Sequence, residues 1–177
     1  RELQNQENFD DLLRALKAEQ AALAKTHEHY VPMAVKIAPD LDDNQIAAIA
    51  TLVQKHRIDA VIATNTTITR PGLEGEKLAQ QAGGLSGHPL KSLSTSVIRK
   101  LYSHLQGKIP IIGVGGIETA EDAWEKLVAG ADLVQIYSVL IYEGPGVVRE
   151  IIEGLVDKVT TSGCTTLVEA VAKARNI

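Results

Sequence analysis

Apolar positions along the chain switch between two periods, and each switch marks an element. Phe9, Leu12, Leu13, Leu16 and Leu23 recur at helical spacing after Asn8 and Asp11, which predicts an opening helix. Val31 to Ala38 is a short apolar run ended by Pro39, the mark of a buried strand. Asp42 with Gln45 three residues later predicts a capping box before a helix carrying Ile46, Ile49, Ala50 and Val53. Ile58 to Thr64 reads as the next strand. From Thr66 to about Leu93 no period holds, and Gly, Ser and Pro accumulate; a loop this long is usually a lid or a binding loop. Val97, Ile98, Leu101 and Leu105 predict a helix stopped by Gly107. Ile109 to Val114 is strand, Thr119 to Val128 helix with Gly130 past its end, and Leu133 to Tyr137 strand. Gly144-Pro145 opens a helix with Val148, Ile151, Ile152, Leu155 and Val156, and a last helix runs from about Thr165.

The order is one helix, then four rounds of strand and helix. The strands are continuously apolar, so both faces are expected to be buried in a parallel sheet. Four such units predict an α/β fold, the second half of a (β/α)8 barrel. A small doubly wound sheet is the alternative. Four parallel strands alone would leave open edges. The chain opens on Arg1, and its one methionine is Met33. Residues 1–177 are therefore expected to be the C-terminal half of one barrel domain, completed by an N-terminal half.

Composition narrows the function. A net charge of −4 argues against nucleic acid as a partner. The single cysteine, Cys164, excludes an internal disulfide and cysteine-pair metal sites. No run of 18 apolar residues is present to span a membrane. His27, His29, His56, His88 and His104 show no metal-ligand spacing, so no metal is expected. Trp124 reads as packing, and neither a GxSxG elbow nor an HExxH motif occurs.

Functional residues of such barrels sit at the C-terminal ends of strands. Those ends read Lys36, then Thr64-Asn65-Thr66-Thr67, then Gly115-Gly116, then Tyr137-Ser138. Lys36 is either a snorkelling lysine or a cation aimed at developing negative charge. The Thr64–Thr67 stretch is either a turn or a polar edge that reads a planar heterocycle. Gly83-Gly84-Leu85-Ser86-Gly87 is either a hinge or a backbone surface for a ring or phosphate. Gly115-Gly116 is either a tight turn or, with Tyr137-Ser138 one unit later, a phosphate cradle. A phosphosugar or phosphopyridine-type barrel enzyme would use the same cradle, and a non-catalytic half-barrel would share the fold.

Taken in order, Val35-Lys36-Ile37-Ala38-Pro39-Asp40, Ala63 to Thr67, Gly83 to Leu90, Ile111 to Ile117 and Leu133 to Ser138 resemble the dihydroorotate dehydrogenases. Ser86-Gly87-x-Pro89-Leu90 with Leu93-Ser94-Thr95 resembles the class 2, quinone-dependent branch. The resemblance implies an FMN-bearing (β/α)8 barrel that oxidises dihydroorotate to orotate in pyrimidine biosynthesis. It implies FMN contacts from Lys36, Thr64, Gly87, Gly116, Tyr137 and Ser138, and pyrimidine contacts from Asn65 and Thr66. The family's base is a serine in a Ser-Pro-Asn-Thr loop, which by the resemblance precedes Arg1. No catalytic base is thus expected within residues 1–177, and the segment alone is expected to be inactive. Quinone would enter through an N-terminal region, and the protein would sit peripherally on a membrane, the cytoplasmic face of the inner membrane if bacterial.

Overall fold

Local chemistry explains where the helices begin. Asp42 Oδ1 accepts from Gln45 N at 2.8 Å while Gln45 Oε1 accepts from Asp42 N at 2.9 Å, the expected capping box. A second box, between Thr119 and Asp122, starts a later helix and is not apparent from apolar spacing. These caps satisfy N–H groups that the first helical turn cannot pair internally.

The computed structural model describes residues 6–70, 72, 73 and 75–175. In chain order these form α1 (Gln6–His27), β1 (Ala34–Ile37), α2 (Asp43–Lys55), β2 (Ala60–Ala63), a 3-10 turn (His88–Leu90) and α3 (Lys91–Leu105). They continue with β3 (Ile111–Val114), α4 (Ala120–Ala129), β4 (Leu133–Gln135), α5 (Val139–Tyr142), α6 (Gly146–Ser162) and α7 (Leu167–Arg175). The four strands form one parallel sheet in the order β1-β2-β3-β4. Sequential order with a helix after each strand is barrel-type winding; a doubly wound sheet would reverse direction from a central strand.

The register puts Lys36, Ile62, Ile112 and Leu133 level with one another on one face. The other face carries Ile37, Ala63 and Gly113 and packs on the helices. There Leu13 of α1, Ile46 and Val53 of α2, and Ile98 and Leu101 of α3 close over Ile37, Val61 and Ile111. Burying each such aliphatic side chain stabilises the fold by roughly 1.5–3 kcal/mol. A smaller cluster joins Ile117, Ala123, Val139, Val147 and Ile151.

The strands are not buried on both faces throughout, as their apolar runs suggest. Ala34 and Lys36 of β1 and Leu133 and Gln135 of β4 are exposed. The physical reason is geometric: among the described residues nothing packs across the face that a closed barrel would turn inward. Asn8 also lies inside α1, which begins by Gln6, and Leu16 and Leu23 are exposed on it. The α3 helix starts at Lys91, earlier than its apolar period indicates, and the short α5 is unexpected from sequence.

Candidate functional site

The C-terminal strand ends open into one pocket of about 250 Å³. Lys36, Thr64, Asn65, Thr66, Gly87, Gly116, Tyr137 and Ser138 all line it. The eight residues singled out from sequence are therefore brought together, from four strand ends and one loop. Leu90, Val114, Ile117, Ile136 and Val139 supply apolar wall.

On the β2 side, Thr64 is buried and its N–H donates to Val114 O at 3.0 Å. Asn65 N donates to Ile37 O at 2.8 Å. Its Oδ1 accepts from Thr66 N at 2.9 Å, which fixes the side chain beside its own backbone. The Asn65 amide NH2 donates to no described residue. The Lys36 side chain likewise has no hydrogen bond or ion pair among the described residues, so its ammonium is available to a ligand.

The long loop is organised. Thr67 and Leu85 exchange backbone bonds at 3.1 and 2.8 Å, closing its base as an antiparallel bridge. The Asp40 carboxylate accepts from Thr67 Oγ1 and from Ile68 N. Inside the loop, Arg70 donates to the carbonyls of Ile68, Thr69, Ala79, Gln81 and Gly83 at 2.8–3.1 Å. One guanidinium thus fixes the fold of the loop from within, using the planar fork that lysine lacks. Ser138 Oγ donates to Ser86 Oγ at 2.9 Å and ties the loop to the end of β4.

The glycines have distinct causes. A Cβ on Gly116, whose φ is +66°, would stand 2.7 Å from Lys91 N and Cα, so α3 itself demands glycine there. A Cβ on Gly115 would lie 3.0 Å from Leu90 and Ser94. The backbone N–H groups of Gly116 and Ser138 find no acceptor among the described residues. Gly116 is buried, Ser138 is half-buried and both line the pocket, so these two unpaired N–H groups can serve an anion there. Gly87, with φ of +80°, faces Ser138 at ordinary contact distance.

Lys126 of α4 is a residue that strand-end reasoning missed. Its side chain is completely buried, and Nζ donates to Lys91 O at 2.8 Å, Ser94 Oγ at 3.0 Å and Thr95 Oγ1 at 2.6 Å. Burial pushes its pKa down to about 8. It stays protonated near neutrality, as three acceptors around one ammonium require. The signal lay in its spacing: Lys126 falls on the same helical face as the buried Ala123 and Leu127. Beside it Lys91 Nζ pairs with Asp122 at 2.5 Å and Glu125 at 3.2 Å. Burial raises the Asp122 pKa, but Lys91 and the N–H groups of Glu118 and Thr119 outweigh it and hold the carboxyl below its ordinary range.

A parallel β/α sheet wound as in a barrel thus gathers a cation, an amide and a glycine turn at its strand ends, where barrel enzymes carry their sites. Comparison with known proteins gives the family. The dihydroorotate dehydrogenase family model matches residues 1–159. A protein from Thiobacillus denitrificans named dihydroorotate dehydrogenase (quinone) is 59% identical over 155 residues, 88% of this chain and 46% of that protein. Its namesake from Nitrosomonas eutropha is 56% identical over 163 residues, 92% of this chain and 48% of that protein. Among solved structures, DHODH from Eimeria tenella in complex with ferulenol superposes with a TM-score of 0.87 at 33% identity, covering 96% of this chain and 48% of that one. The chain belongs to the dihydroorotate dehydrogenase family, and it spans about half the length of the curated relatives it matches.

Proposed function

We propose that this chain carries the flavin- and pyrimidine-binding face of an FMN-dependent dihydroorotate dehydrogenase that passes electrons to a quinone. Dihydroorotate and quinone are taken from the names of the relatives. The observation that carries the reading is the convergence of Lys36, Asn65, Thr66 and the free N–H groups of Gly116 and Ser138 on one pocket.

The donor set fits FMN. A phosphate suits the Gly116 and Ser138 N–H groups, and the Thr64 and Ser86 hydroxyls suit a polyol and ring edge. Leu90, Val114, Ile117 and Val139 suit the apolar body of such a ligand. Lys36, Thr64, Gly87, Gly116, Tyr137 and Ser138 would hold the cofactor. When bound, FMN supplies the two-electron acceptor for ring oxidation. Lys36 then keeps a fixed positive charge where negative charge develops. Asn65 and Thr66 orient the pyrimidine through the amide and hydroxyl. Neither is basic, so the proton acceptor is proposed to come from elsewhere in the protein.

The site and its substrates are proposed for the whole protein, with an N-terminal half completing the barrel. Peripheral attachment to a membrane is proposed on the strength of the same relatives. No described helix is long and apolar enough to cross one. The test is the visible spectrum of the intact protein. Flavin bands that release FMN on denaturation, bleach with dihydroorotate without oxygen and return with quinone are expected. Flavin-free protein, or a flavin that dihydroorotate leaves oxidised, contradicts the proposal.

A further inference from the structure

Lys126 is the largest completely buried side chain among the described residues, and no carboxylate lies within ion-pair distance of it. Its three acceptors are neutral: the Lys91 carbonyl and the Ser94 and Thr95 hydroxyls, all in the opening turns of α3. A buried charge normally has a charged partner. The nearby carboxylates, Asp122 and Glu125, are both engaged by Lys91.

The contacts lead from Lys126 to the glycine turn. Ser94, which accepts from Lys126, donates to Val114 O at 2.6 Å. The same carbonyl accepts from Thr64 N at 3.0 Å, so one oxygen joins β2, β3 and α3. Val114 directly precedes Gly115 and Gly116. Gly116 in turn rests on Lys91, whose carbonyl Lys126 holds. The ammonium thus fixes the helical turn on which the candidate cradle is built, and stands behind it as a buried positive charge that no carboxylate contacts directly among the described residues.

We propose that Lys126 is a positioning residue for the anion cradle, holding the first turns of α3 against Gly115-Gly116 and favouring a doubly charged phosphate there. The inference rests on the FMN reading of the same pocket. It goes further by assigning the selection of phosphorylated over unphosphorylated flavin to a side chain that does not line the pocket.

The experiment compares FMN with riboflavin, which lacks the phosphate, on the flavin-stripped intact protein, following quenching of flavin fluorescence. The native protein should prefer FMN strongly. Lys126→Met, similar in size and uncharged, should weaken FMN by roughly tenfold or more, the scale of one charge-assisted interaction. Riboflavin affinity should change by less than about threefold, which a general loss of structure would not produce. Ser94→Ala breaks the relay to Val114 while keeping the charge, and should narrow the preference by a smaller factor. If Lys126→Met does not fold, Ser94→Ala decides by the same ratio. An unchanged FMN-to-riboflavin ratio in the folded variant, or equal weakening of both, overturns the proposal. A native protein without preference for FMN would overturn the underlying cofactor reading instead.

Discussion

The backbone of Gly84 presses on Thr66: a Cβ built on Gly84 would overlap the Thr66 hydroxyl. The long loop and the polar strand end of β2 therefore share one shape, and the glycine sets the position of a side chain proposed to meet the pyrimidine. Gly84→Ala should displace Thr66 or lift the loop. Orotate affinity should fall by about 1–3 kcal/mol, the usual cost of overpacking, while FMN binding changes far less. Calorimetry with both ligands measures this, and equal orotate affinity in the variant would contradict it.

Gly116 makes a different prediction. Its Cβ position is occupied by Lys91 of α3, and its φ of +66° is unfavourable for branched side chains. Gly116→Val should therefore destabilise the flavin-stripped protein itself, by several kcal/mol, as well as abolish flavin retention. A melting temperature unchanged in the stripped variant would move the constraint from the helix to the ligand.

Lys36 should behave in the opposite way. It is exposed and unpaired among the described residues, so Lys36→Ala should alter stability by no more than about 0.5 kcal/mol. The flavin reduction potential should fall by about 30 mV or more, equivalent to about 1.4 kcal/mol for two electrons. Spectroelectrochemistry checks this; an unchanged potential in the flavin-loaded variant removes the proposed role.

Acid stability should depend on Asp10. Hydrogen bonds from Lys55 at 2.8 Å and His56 at 2.6 Å lower its pKa from 3.8 to about 2. A carboxyl held down in the folded state binds fewer protons there than in the unfolded chain. Its contribution is present above pH 3.8 and is lost as pH falls towards 2. Asp10→Asn should flatten the stability curve over that window and leave its slope above pH 5 unchanged. An identical acid limb in both proteins would contradict this.

Much of this site is legible along the chain because barrel chemistry is placed by strand ends, and strand ends follow from apolar runs. Lys36, Asn65, Gly116 and Ser138 each stand at the polar end of such a run, and all four line the pocket. What stays hidden depends on contacts between distant segments. Lys126 meets Ser94 across 32 positions, and Ser86 meets Ser138 across 52. No local period records either contact. The glycine rule was only half legible too. Gly116 reads as room for a phosphate, yet its side-chain space belongs to Lys91. Exposure of Lys36 and Leu133 was hidden for a related reason: an apolar strand reads as buried on both faces whether or not an opposite wall is present.

Orotate binding to the flavin-loaded Asn65→Ala protein tests the central claim most directly. Asn65 is held by Ile37 O and by Thr66 N, which leaves its amide NH2 for a ligand. Removing it should leave a pyrimidine polar group unpaired and cost roughly 1–3 kcal/mol, a five- to hundredfold loss of affinity, with FMN still bound. Calorimetric affinity within twofold of the native protein, or loss of FMN together with orotate, would contradict the assignment of this strand end to the pyrimidine.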